Sequence, residues 1–396
     1  MPSALPAGEP APASGELPAA ALAGLGARPF GIYVHVPFCQ TRCGYCDFNT
    51  YTAAELGNGA SRDSYAGLAI AEVRLARQVL GTASLPVASV FFGGGTPTLL
   101  PPAALAGILR AIDGEFGLTA GAEVTVEANP ETLNERALAG LRAGGMTRIS
   151  LGMQSAVPHV LAVLDRVHQP GRPGRCARWA RAAGFAHVSL DLIYGTPGET
   201  DDDWGESLAA ALAAGPDHIS AYALIVEPGT ALAARIARGQ LPAPDDDAMA
   251  DRYLIADEML SAHGMTWYEV SNWAAGEAAW CRHNLLYWTS ADWWGVGPGA
   301  HSHIGGTRWW NVKHPAAYAA RIQAGQSPAQ AREVLTGQDR QLERILLLTR
   351  LAGRGQLGKR AAADGLLQPA AHAAGRAVLT QRGRLLADAV VRELAS

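Results

Sequence analysis

Three cysteines, Cys39, Cys43 and Cys46, fall within eight residues, in the run Tyr33-Val-His-Val-Pro-Phe-Cys-Gln-Thr-Arg-Cys-Gly-Tyr-Cys-Asp-Phe48. Thiolates at CxxxCxxC spacing can surround one cubic iron–sulfur cluster. Such clusters normally take four cysteines, so three leave one iron with an open coordination site. An open site on a metal means catalysis or an exchangeable ligand. The alternative is zinc held by the same cysteines with His35 or Asp47. Zinc sites more often show paired CxxC or HxxxH units, and the chain has no second pair. Cys176 and Cys281 lack such spacing and read as ordinary thiols.

The elements that must hold this loop recur from residue 31 onward. Strands are expected at 31–37, 88–93, 123–128, 148–153, 187–193 and 218–226, rich in Val, Ile and aromatics. Leu105, Ile108, Leu109, Ile112 and Phe116 repeat at helical spacing between the second and third. A helix from about 131 stops at Gly144-Gly145, and Thr200 caps another that ends near Gly215. Six β–α units predict an α/β fold with a parallel sheet, open rather than closed because eight units make the usual barrel. Chemistry in such folds gathers at the C-terminal strand ends.

Polar and Gly-rich groups fall at those ends. Gly93-Gly94-Gly95-Thr96 follows the second strand, Glu127 ends the third and Gln154 the fourth. Asp191 lies on the fifth, Ala223 on the sixth, and Arg166 follows the fourth. A buried carboxylate such as Glu127 or Asp191 is either paired with Arg148 or Arg166 or bound to a ligand. The joint placement favours the ligand.

The chain's 396 residues carry a formal charge of -4, which argues against nucleic acid or an anionic membrane as the main partner. No run of about 18 uncharged apolar residues predicts a membrane span. Residues 1–28, rich in Ala, Pro and Gly, lack the basic start and unbroken apolar run of a secretory signal and are expected to be a disordered tail. The expected location is the cytoplasm, where a disulfide framework is improbable. The predicted divisions are a core at 29–230, a Trp-rich region at 231–334 and a small α+β, winged-helix-like domain at 335–396 with a hairpin near Gly383. Its ten basic against five acidic residues from Asp339 onward make covering the barrel a better reading than DNA binding.

The cysteine spacing resembles the radical S-adenosylmethionine (SAM) superfamily. The resemblance implies a partial (β/α)6 barrel and a [4Fe–4S] cluster whose fourth iron binds SAM. It narrows to the oxygen-independent coproporphyrinogen III oxidase family and its relatives. There the residues matching Tyr33, Gly94, Gly95, Thr96, Glu127, Gln154, Arg166, Asp191 and Ala223 contact SAM, and Tyr45, inside the cysteine motif, joins them as a cofactor-binding candidate. The oxidase carries a further cysteine where this chain has Phe48. Cys46-Asp47-Phe48 and His283-Asn-Leu-Leu-Tyr-Trp288 instead resemble the HemW-type haem chaperones. That resemblance implies haem as ligand, His283 as first choice for the iron with Cys281 second, acceptor haemoproteins such as those of the respiratory chain, and an electron donor. An imidazole can ligate haem iron, and Tyr287 and Trp288 offer flat faces to a porphyrin. Trp267, Trp273, Trp280, Trp293 and Trp294 are expected to line an apolar pocket, and His301 and His303 to be structural. The oxidase, in porphyrin biosynthesis, is the alternative function. Whether SAM is consumed stays open.

Overall fold

The computed structural model describes residues 7–56, 61–166, 168–169, 171–351 and 359–395. Thirteen strands form one sheet: β1 (Glu9–Pro10), β2 (Phe30–Val36), β3 (Val87–Gly94), β4 (Leu118–Ala128), β5 (Arg148–Gln154), β6 (His187–Tyr194), β7 (His218–Ala223), β8 (Thr266–Glu269), β9 (Asn272–Ala274), β10 (Asp292–Val296), β11 (His301–Ile304), β12 (Thr307–Asn311) and β13 (Ala329–Val334). Their spatial order is β1-β13-β12-β11-β10-β2-β3-β4-β5-β6-β7-β9-β8.

The six expected core strands are present as β2–β7, each parallel to the next. Alternation along each strand sorts its side chains between two faces. Ile32, Val34, Val36, Val90, Phe92, Val124 and Val126 are buried with Tyr65, Ala69, Val73, Leu105 and Ile108 of the helices Arg62–Leu80 and Pro102–Phe116. The residues between them, among them Tyr33, His35, Phe91, Gly93, Thr125 and Glu127, face the barrel interior. Helix boundaries follow local chemistry. Thr200 and Asp203 form a reciprocal cap at the start of Asp201–Ala213, and Glu135–Ala143 ends at Gly144.

Three expectations need correction. Residues 1–6 of the expected tail lie outside the described residues, but 7–28 are not a disordered tail. Glu9 and Pro10 pair with β13, and Leu17 and Ala21 are buried in the main core. Proline-rich composition lowered the expectation of order, yet an edge strand accepts proline because its outer N–H needs no partner. Residues 231–334 are not a unit of their own: β8 and β9 extend the sheet beyond β7, while β10–β13 extend it beyond β2. In the C-terminal region Gly383 sits in a helix, Gln381–Leu385, and not in a hairpin; a bridge between Leu367 and Leu379 pairs strand-like segments there.

That region has its own small core of Ala361, Leu366, Leu367, Ala377, Leu379 and Val390. It docks on the β8 end of the barrel. Arg384 donates to Asp257 at 2.6 Å and lies over the Trp267 ring, 4.3 Å from its centre.

Candidate functional site

The cysteine loop leaves the C-terminal end of β2 and returns beside it. Phe38 bridges Tyr51, and the Cys39 N–H donates to the Tyr51 carbonyl at 3.0 Å. Asn49 fixes the loop from outside, donating to the carbonyls of Pro298 at 3.0 Å and Lys313 at 2.9 Å. Burial, with the nearby Cys46 and Cys43, pushes the Cys39 thiol up to about 11, while the Thr96 hydroxyl works the other way. The Cys39 and Cys46 thiols resist ionisation, so a cation set among the three cysteines would favour their thiolate forms, as an iron–sulfur cluster does. Arg166 supplies part of that charge, with a guanidinium nitrogen 3.6 Å from the Cys43 Sγ.

The zinc alternative fails at His35. Its Nδ1 meets the Tyr33 hydroxyl at 3.0 Å and its Nε2 the Asn49 carbonyl at 2.8 Å, so neither nitrogen is available. Among the described residues, no three of His, Cys, Asp and Glu are grouped as one metal ion would need.

Beside the loop, the Gly93–Gly95 turn permits contacts that no side chain would. A Cβ on Gly94, whose φ is +109°, would lie 2.7 Å from the His35 ring, and one on Gly95 would lie 2.5 Å from the Phe38 carbonyl. Glu127 accepts from the Gly94 N–H at 3.1 Å. Asp191 accepts from the Ser150 hydroxyl at 2.8 Å. Neither carboxylate forms an ion pair among the described residues. Arg148 pairs instead with Glu123 at 3.7 Å, and Arg166 donates to the Gly152 carbonyl at 3.0 Å. Burial, then Asp191, pushes Glu127 up to about 8, and burial raises Asp191 too. Two half-buried carboxylates that form no ion pair among the described residues suit a ligand that brings a cation, as the sulfonium and ammonium of SAM would. Gln154 ends β5 at φ 64°, a left-handed backbone unusual for a residue with a side chain. Tyr45 packs against the cluster of Val157, Val160 and Leu164, and Ala223 ends β7 opposite Tyr194. The sequence candidates for the cluster and SAM thus converge on one end of the barrel.

Sequence reasoning missed the support behind this site. Glu72, in the helix Arg62–Leu80, accepts from the Gly297 N–H, the Asn311 amide and the Tyr318 hydroxyl at 2.6–2.7 Å. The available signal was its place on the buried stripe of Tyr65, Ala69, Val73 and Ala76.

The radical SAM superfamily profile matches residues 33–211. The heme chaperone HemW of Mycobacterium tuberculosis is 53% identical over 96% of this chain and 97% of its own length. The heme chaperone HemW of Bacillus subtilis is 35% identical over 81% of this chain and 83% of its own length. The structure of the Escherichia coli coproporphyrinogen III oxidase superposes with a TM-score of 0.81 at 22% identity, covering 95% of this chain and 92% of that one, which establishes the shared fold. The chain belongs to the HemW family, within the radical SAM superfamily.

In this HemW-family chain the cluster and SAM residues fit their groups, whereas His283 as placed does not fit haem iron. It is 1% exposed, in the short helix Arg282–Trp288 that plugs the barrel interior. Its Nδ1 meets the Ser89 hydroxyl at 2.8 Å and its Nε2 the Tyr287 hydroxyl at 2.9 Å. Burial lowers its pKa to about 3, so it is held neutral. Asn284 donates to Glu269 at 2.6 Å. Cys281 is also buried, its Sγ 3.8 Å from Glu123. Nor do the tryptophans form the single expected pocket. Trp273 packs on Tyr253, Trp280 stacks on Tyr268, and Trp294 packs on Trp309. Trp273 and Trp294 are buried in the main core at different places along the sheet, and Trp280 packs on the small cluster of Tyr268, Ala274 and Ala279. His303 is structural, as expected, with both ring nitrogens bonded to backbone.

Proposed function

We infer that this chain is a haem chaperone, binding haem and passing it to an acceptor haemoprotein. The observation that carries this reading is identity of 53% to a named heme chaperone across nearly the full length of both chains. Phe48, half exposed at the surface of the cysteine loop, supports it, because a thiol in that position marks the oxidase pattern.

When bound, a reduced [4Fe–4S] cluster supplies an electron to the sulfonium of SAM. The chain's own residues prepare that site. Cys39, Cys43 and Cys46 hold the irons, and Arg166 offsets thiolate charge. Glu127 and Asp191 receive the cationic end of SAM, and the glycine turn lets it approach the backbone. Placing this chemistry in the cytoplasm, with a respiratory haemoprotein as acceptor and a separate electron donor, completes the proposal. Among the described residues no helix is long and apolar enough to cross a membrane.

The deciding experiment adds haem to anaerobically purified protein, records the absorbance spectrum, and assays the same sample for protoporphyrinogen formed from coproporphyrinogen. Stable haem uptake without turnover is expected. Turnover by the wild-type chain would assign it to the oxidase instead.

A further inference from the structure

We propose that His301 is the imidazole of this chain that takes haem iron, on an aromatic ledge beside the cysteine loop. The inference rests on the haem-chaperone reading and names the iron ligand within it.

An imidazole binds iron through a ring nitrogen whose lone pair is free. Histidines recur on the inner face of the sheet and on the helix that plugs it, and they are not alike. His35, His283 and His303 each have both ring nitrogens hydrogen-bonded. So does His218, to Ser189 at 2.8 Å and Tyr268 at 2.9 Å. His301, expected from sequence to be structural like His303, differs. Among the described residues neither of its ring nitrogens has a hydrogen-bond partner, and the side chain is only partly buried.

The strand register sets this ring on the inner face. His301 lies opposite Trp310 of β12, His303 opposite Trp293 of β10, and Gly295 opposite Tyr33. The Trp310 ring stacks 5.9 Å from the imidazole, and the Trp293 indole N–H donates to the His301 carbonyl at 3.1 Å, so ring and backbone are both fixed. Trp293, itself partly exposed, packs on Tyr287 at 4.8 Å. The ledge thus offers flat apolar surface next to a free lone pair, which suits a porphyrin and its iron. Tyr222 of β7 is 46% exposed, and Tyr33, Glu127 and Asp191 are partly exposed, so the inner face borders open space. Two residues before His301, Gly299 lies so close to Asn49 of the cysteine loop that a Cβ would clash with its amide. Burial, with Lys313 and Arg308 among the nearby charges, lowers the His301 pKa to about 4 and keeps the ring neutral. Lys313 is also the kind of cation with which a haem propionate pairs.

The test titrates haem into the full chain, cluster reconstituted, without oxygen, and follows the Soret band. His301→Ala should bind haem about 10-fold more weakly or worse, with a changed band and unchanged iron and sulfide content. Added imidazole should restore the wild-type spectrum, which a purely structural defect would not allow. His283→Ala, whose nitrogens are engaged in the wild type, should keep that spectrum. Wild-type affinity and band in His301→Ala, no response of that variant to imidazole, or a band lost in His283→Ala but kept in His301→Ala overturns the assignment. If wild type itself takes up no haem, the haem-chaperone reading falls, and this proposal with it.

Discussion

Arg166 holds one guanidinium nitrogen 3.6 Å from the Sγ of Cys43 and another 3.0 Å from the carbonyl of Gly152. It thereby joins the cysteine loop to the end of β5, where Gln154 turns. A cation facing a ligating sulfur makes the cluster easier to reduce. Arg166→Ala should therefore retain iron and sulfide after reconstitution but show a midpoint potential lower by tens of millivolts in an EPR-monitored titration. An unmoved potential would show that the contact is only structural. Cys43→Ser should instead lose the visible absorbance altogether.

Glu127 gives a pH signature. Its folded pKa, about 8, exceeds the ordinary 4.5. The folded chain holds that proton more tightly than the unfolded one. Its contribution to stability is complete below pH 4.5 and disappears as pH climbs through 8. Glu269, held up to about 8 by burial, acts in the same direction. Between about pH 5 and about pH 8.5 the Tm of ligand-free wild type should decline relative to that of Glu127→Gln, the depressed histidines being common to both chains. SAM should raise the Tm most at the alkaline end, where the carboxylate is charged. An identical slope in the variant would refute this account.

Glu72 should matter more than its distance from the cysteines suggests. Glu72→Ala strands three buried donors, which should cost about 2–4 kcal/mol in urea unfolding. Because its partner Gly297 packs on the backbone of His35, the variant should also lose iron faster. A loss under about 0.5 kcal/mol would mean that water replaces the carboxylate at no penalty.

Gln154 combines a left-handed backbone with the SAM contact proposed for it. Gln154→Gly should relieve the left-handed backbone and leave stability unchanged or higher by up to about 1 kcal/mol. SAM affinity, read by equilibrium dialysis, should drop. A variant that is less stable and binds SAM normally would reverse both assignments.

The N-terminal strap shields an edge. Glu9 pairs with Arg332 at 2.6 Å, and β1 covers β13. A chain lacking residues 1–17 exposes that strand, and an unpaired edge invites association. Light scattering should show larger species than the full chain gives; a clean monomer would remove this role.

What could be read from the residues divides by range. Strands β2–β7 and the groups at their ends were visible because runs rich in Val, Ile and aromatics, and the turn glycines after them, are local signals. The cysteine spacing was visible because one loop carries all three thiols. The bonds of Asn49 to residues 298 and 313, and of Glu72 to 297, 311 and 318, join segments more than 200 positions apart, and no local pattern announces them. The strap was misread because alanine and proline lower the apparent tendency to order, although Leu17 and Ala21 find a core waiting. His283 was legible as a residue to notice. That both its nitrogens are taken depends on Ser89, 194 positions earlier, and on the rotamer of Tyr287.

The side-by-side pairing of β2 with β10 bears on the order of events during synthesis. The cysteines emerge from the ribosome early, but the carbonyls that grip Asn49 belong to Pro298 and Lys313. A nascent chain ending before them displays the thiols on an unanchored loop. Iron delivery should therefore follow release of nearly the whole polypeptide, and prematurely terminated products should emerge without metal.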